Sequence, residues 1–115
     1  MKYSDLKVWQ KSMDLVDSVY RATEQFPSSE RFGLCSQLQR AAVSVPANIA
    51  EGHGRKLTNV FLNHISIASG SLMEIETLIL IALRQSYMTE DASNALLKQS
   101  DEIGKMLSGL RKSLK

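Results

Sequence analysis

The stretch "SVPANIAEGHGR", residues 44–55, sets a proline, two glycines and an arginine inside the most helix-like part of the chain. Its reading decides the fold. Pro46 lacks an N–H and its ring crowds the carbonyl of Ala42, so it predicts a kink in a continuing helix. Gly52 and Gly54 predict the end of that helix, because glycine takes the left-handed conformation without a Cβ penalty. Working backwards, the helix spans "ERFGLCSQLQRAAVSVPANIAEG" from Ser28 or Ser29, with Phe32, Leu38, Val45 and Ile49 as its larger apolar anchors.

Forward of the stretch, a third helix is predicted from about Thr58 to Gln85. It carries no acidic or basic residue from Leu57 through Met73, and between Leu72 and Leu83 its apolar residues occupy nearly every face. Such a helix is central or is covered by another subunit. A membrane span is the rival reading. Glu74 and Glu76 in its middle would each cost several kcal/mol in lipid, and Asn63, His64, Ser66, Ser69 and Ser71 dilute the run, so no membrane role is assigned.

The first helix follows from Leu6, Trp9, Met13, Val16 and Tyr20, widened by Leu15 and Val19, with Ser4 as N-cap and Phe26-Pro27 as its end. The fourth begins at Thr89, an N-cap followed by Glu90 and Asp91, and its stripe is Leu96, Ile103, Met106, Leu107, Leu110 and Leu114. Short connections between four such helices predict a single all-α domain over residues 1–115, an antiparallel up-down-up-down four-helix bundle. Counted outward from the turn near Arg55, "AAVSVPA" on helix two and "SIASGS" on helix three fall opposite each other. Gly70 is therefore expected at the closest approach, and Gly70→Leu is expected to destabilise far more than Gly104→Leu.

The 115 residues include 14 Lys and Arg against 12 Asp and Glu, a formal charge of +2, with 43% hydrophobic residues, two prolines and six glycines. This is the composition of a globular domain, and its charge permits a nucleic-acid partner without arguing for one. The lone Cys35 cannot form an internal disulfide, and "MKYSDLKVWQ" lacks a signal-peptide apolar run, so a cytoplasmic protein is expected.

Motifs for chemistry are missing. Glu51 with His53 has the wrong spacing for a di-iron bundle, and Cys35, His53 and His64 are scattered over two helices and a turn. "GHG" fits neither a phosphate-binding loop nor a dinucleotide fingerprint. No metal, cofactor, small-molecule substrate or catalytic residue is assigned, and the protein is read as a non-enzyme. Trp9 and Cys35 read as core, and His64 as a satisfied packing residue. Asn48, Glu51 and Arg55, at steps of three and four, read as sharing one face, with Glu51 and Arg55 either a structural clasp or part of a ligand site. Lys105, Arg111, Lys112 and Lys115 read as a solvated helix end or a modest phosphate-binding patch.

The segments "LKVWQKSMDLV", "FPSSERFGLCSQLQRAAVSVPANIAEGHGR" and "IASGSLMEIETLILIA" together resemble the bacterial four-helix-bundle proteins encoded by intervening sequences in large-subunit ribosomal RNA genes. The likeness covers residues 6 to about 83 and is most specific in "RAAVSVPANIAEGxGR" and "GSLxExET", the latter containing Gly70 and Glu74. It implies self-association as a ring-like pentamer and similarity to the accessory proteins of diversity-generating retroelements, which bind RNA and a reverse transcriptase. Gln39 stands where a second arginine is expected before Arg40, Val60 where an acidic residue is expected, and Asn63 where another arginine is expected. The function expected is a homo-oligomer associated with RNA or a ribonucleoprotein, with Arg40, Arg55, Lys56, Lys105, Arg111, Lys112 and Lys115 as candidate phosphate contacts. The alternative is an adaptor that binds another protein through the apolar surface of helix three.

Overall fold

A computed structural model describes residues 1–114. The described residues form four α-helices and no strand: α1 (Lys7–Thr23), α2 (Leu34–Gly54), α3 (Thr58–Arg84) and α4 (Glu90–Ser113). Short 3-10 turns, Tyr3–Asp5 and Ser28–Glu30, precede α1 and α2. Among the described residues α1 packs on α2 and α4, and α3 packs on α2 and α4, while the backbones of the two diagonal pairs stay more than 8 Å apart from Cα to Cα. The interface between α2 and α3 is the most extensive.

Leu15 and Val19 of α1, Leu38, Val45 and Ile49 of α2, Ile65, Leu72, Ile75 and Ile79 of α3, and Ile103 and Leu107 of α4 are sealed from water. Burial of each such leucine or isoleucine side chain contributes about 1.5–3 kcal/mol relative to leaving it exposed. By length and composition alone α3 could cross a membrane. In the bundle its apolar residues Phe61, Ile65, Ala68, Leu72, Ile75 and Ile79 are buried.

The start of α1 differs from expectation. Ser4 lies inside the 3-10 turn and Leu6 occupies the N-cap without a side-chain bond. Asp5 causes this by closing the turn locally, its Oδ2 accepting the Lys2 N–H at 3.0 Å. The buried face of α1 is Val8, Ser12, Leu15, Val19 and Thr23, whereas Met13 and Tyr20 are exposed and Trp9 is half-buried against Tyr3. The Ser12 hydroxyl donates to the Val8 carbonyl at 2.7 Å and the Thr23 hydroxyl to the Tyr20 carbonyl at 3.0 Å, which lets small polar residues face the core.

The start of α2 is also later than expected, at Leu34. Glu30 sets it, because its Oε1 accepts the Leu34 N–H at 3.0 Å and satisfies an orphan donor of the first turn. The other oxygen, Oε2, accepts the Tyr87 hydroxyl at 3.0 Å, tying the start of α2 to the connection between α3 and α4. Phe32 falls in the turn before the helix and is 90% exposed, so it is no core anchor.

Gly52 and Gly54 do not stop α2 by left-handed geometry. The helix runs through Gly54, no glycine has positive φ, and the left-handed residue at this end is Lys56 at φ 60°. Gly52 is instead a close-approach residue: a Cβ built there would lie 2.6 Å from His64 Cβ and 3.0 Å from Phe61 Cδ1. Gly70 is exposed and a Cβ on it would meet nothing within 4 Å, whereas one on Gly104 would touch Leu72 at 3.8 Å. The expected ranking of Gly70 and Gly104 is thereby overturned. The two small stretches do meet, through Ser44 and Ser71, whose hydroxyls lie 2.9 Å apart, but Gly70 is turned away from that contact.

The third and fourth helices follow the sequence closely. Thr89 caps α4, its hydroxyl accepting the Ala92 N–H at 3.1 Å.

Candidate functional site

The expected phosphate contacts do not form one patch. Arg40 is exposed on α2 beside Tyr20, Ser36 and Val43. Lys56 is exposed in the connection between α2 and α3, at a cleft that also takes in Lys2, His53 and Leu114. On α4, Lys105 pairs with Asp101 at 3.3 Å and, with Lys112, lines a cleft that includes Met73 and Glu76. Arg111 donates from Nη2 to the Ser66 hydroxyl at 2.8 Å, so it bridges α4 to α3. Lys115 lies outside the described residues. Among the described residues of this set, only Lys105 and Lys112 line the same cleft.

Arg55 Nη2 donates to Glu51 Oε1 at 3.3 Å, with the arginine side chain 62% and the carboxylate side chain 55% exposed. Exposed pairs of this spacing contribute about 0.3–0.5 kcal/mol. Glu51→Gln is therefore expected to shift stability by no more than about 0.5 kcal/mol, read from urea unfolding. A loss above about 1.5 kcal/mol, the value for a charge-assisted bond in a buried setting, would contradict the exposed geometry.

Asn48 does not join that pair. It turns toward α3, where its Oδ1 lies 2.9 Å from His64 Nδ1. The Asn48 amide nitrogen donates to the Ser44 carbonyl at 2.8 Å and to the Ser44 hydroxyl at 3.0 Å. With the amide hydrogens so used, Oδ1 must be an acceptor, which assigns the proton on His64 to Nδ1. The Ser44 hydroxyl lies 2.9 Å from that of Ser71, extending the chain of bonds along the α2–α3 interface. Ser44 and Ser71 were visible in the sequence only as small residues; their hydrogen bonding was not.

Around the start of α2 the sequence reading also missed Glu30 and Tyr87. The hydrogen bond to Glu30, then burial, then the Glu30 charge push the Tyr87 phenol above its ordinary value. Burial, then the same carboxylate, push up the Cys35 thiol, whose Sγ faces the Thr23 carbonyl at 3.7 Å. A thiol so placed is a packing group and a poor nucleophile. Glu30 itself was legible as a polar residue three before Gly33, but nothing local in the sequence links it to Tyr87. Glu74, within the motif shared with the resembled family, is exposed. Among the described residues no group of three or more His, Cys, Asp or Glu side chains converges as metal ligands would.

Four packed helices, an internal polar seam and dispersed surface cations define a small all-α four-helix-bundle protein. The chain belongs to the 23S rRNA-intervening sequence protein family, matching it over residues 4–109. Among solved structures it is similar to a protein of unknown function from the S23 ribosomal protein family of Bacteroides thetaiotaomicron, with a TM-score of 0.84 and 24% identity. The match covers 91% of this chain and 98% of that one, and at this identity it speaks for the fold alone. Comparison with curated proteins gives no match.

Proposed function

We propose that this protein is a non-enzymatic binding module that self-associates and works with RNA or a ribonucleoprotein in the cytoplasm. The observation that carries the reading is the outer surface of α3, where Ile67, Met73, Leu80 and Ile81 are exposed although the helix is the most apolar of the four. At 3.6 residues per turn these side chains span an arc of roughly 140°, interrupted only by Gly70, Glu74, Thr77 and other small or polar residues. An exposed apolar surface of this breadth is characteristic of an interface, and repeated copies of one chain are its simplest occupants. A ring-like pentamer, as in the proteins the sequence resembles, fits this reading, and so does an up-down-up-down course with α2 bent at Pro46. The connections of three and five residues, 55–57 and 85–89, favour that course.

Family membership supports the RNA partner, as does the further likeness to retroelement accessory proteins. Phosphate contacts from dispersed cations would position RNA without reading its sequence. Light scattering at micromolar concentration is expected to give a mass several times the monomer's 12.8 kDa, and RNA affinity is expected to fall steeply with salt. A monomeric mass would overturn self-association. Affinity insensitive to salt would point instead to an apolar protein partner on α3.

A further inference from the structure

The connection between α1 and α2 carries the least expected side chain of the surface. Phe32 stands 90% exposed, with the Arg31 guanidinium 5.6 Å from its ring centroid. From it run two adjoining clefts of about 510 and 390 Å³, which share Tyr20, Ser36 and Gln39 and reach Arg40. Tyr20 is 46% exposed. The floor is held in place, since Gln39 Nε2 donates to the Thr23 hydroxyl at 3.0 Å, which in turn donates to the Tyr20 carbonyl.

Three properties of this groove point to one class of ligand. Its lining mixes the exposed rings of Phe32 and Tyr20 with the hydroxyl and amide groups of Thr23, Ser28, Ser36 and Gln39. Arg31 and Arg40 form no ion pair among the described residues, and Glu24 is the sole carboxylate lining either cleft. Exposed rings interleaved with arginines suit unstacked bases and their phosphates, because every base presents a π-face and every linkage a negative charge.

We propose that this groove is a stacking site for single-stranded RNA, taking one base on Phe32 and another at Tyr20, with Arg31 on the phosphate beside the first and Arg40 on the phosphate beside the second. The proposal rests on the RNA reading above and gives it a place and a strand preference. Most of the site lies outside the cations that the sequence nominated, of which it uses only Arg40.

The test is binding of a short labelled single-stranded oligoribonucleotide of mixed sequence to the full chain, with the duplex of the same sequence as competitor. Phe32→Ala is expected to weaken binding at least about fivefold, and Phe32→Tyr to retain it, since stacking needs only an aromatic face. Arg31→Gln and Arg40→Gln are each expected to make the salt slope shallower by about 0.7. The single strand should outcompete the duplex. Light scattering on Phe32→Ala accompanies each measurement: unchanged mass with weakened binding supports the site, whereas reduced mass assigns the ring to an interface between copies and overturns it. Unchanged affinity in Phe32→Ala also overturns the site while leaving the RNA reading intact. A wild-type protein that binds no RNA at low salt removes both.

Discussion

Gly52→Leu is expected to cost about 3 kcal/mol or more, lowering the melting midpoint on the order of 10 °C. The first atom added, a Cβ, would already stand 2.6 Å from His64 Cβ, and the rest of a leucine would have to displace α3. Gly52→Ala isolates the first step and is expected to cost about 1–3 kcal/mol. Gly70→Ala is the natural control. It sits in open space on the same pair of helices and should gain about 0.5–1 kcal/mol from better helix propensity. Opposite signs for the two alanine variants, in thermal or urea unfolding, identify Gly52 as the point of closest approach. A neutral Gly52→Ala would mean that α2 and α3 stand further apart than the structure places them.

A second large effect separates two residues that pattern reading treats alike. Leu38→Ala should cost about 2–5 kcal/mol, because Leu38 is 0% exposed and its removal leaves a void among well-packed neighbours. Phe32→Ala should stay within about 0.5 kcal/mol of wild type, as surface substitutions away from special features do. Comparable losses for both would show that Phe32 is covered in solution, by the chain itself or by another copy.

These contrasts mark what could be read from the chain. The span of α3 was legible to within a residue at each end, because an uninterrupted apolar run is bracketed by short polar connections. The cap at Thr89 was legible because its signal is local, a hydroxyl followed by two acidic residues. The facing of α1 was not, since Ser12 and Thr23 hide their hydroxyls against their own backbone and occupy positions that a hydrophobic pattern leaves to solvent. Phe32 was misjudged for a different reason. Whether it belongs to α2 depends on the Glu30 carboxylate, which starts the helix at Leu34 and leaves the phenylalanine outside it. Of the candidate site, the residue types were legible and their convergence was not: Asn48 and His64 are 16 positions apart, and Arg40 acquires its aromatic neighbour Tyr20 only when α1 and α2 pack.

The line of bonds from Ser71 through Ser44 and Asn48 to His64 bears on which misfolded bundles the chain avoids. Two apolar helices can slip past each other by a turn, about 5.4 Å, and still bury similar area, so hydrophobic contact by itself leaves near-degenerate competitors. Such a slip here would strip Asn48 and His64 of each other and drive a different side chain against the bare backbone at Gly52. Each loss raises the competitor and leaves the native state untouched. The polar residues between α2 and α3 thus add little to absolute stability and much to the energy gap, so replacing Asn48 and His64 together by leucines should yield a bundle that melts no earlier but unfolds less cooperatively.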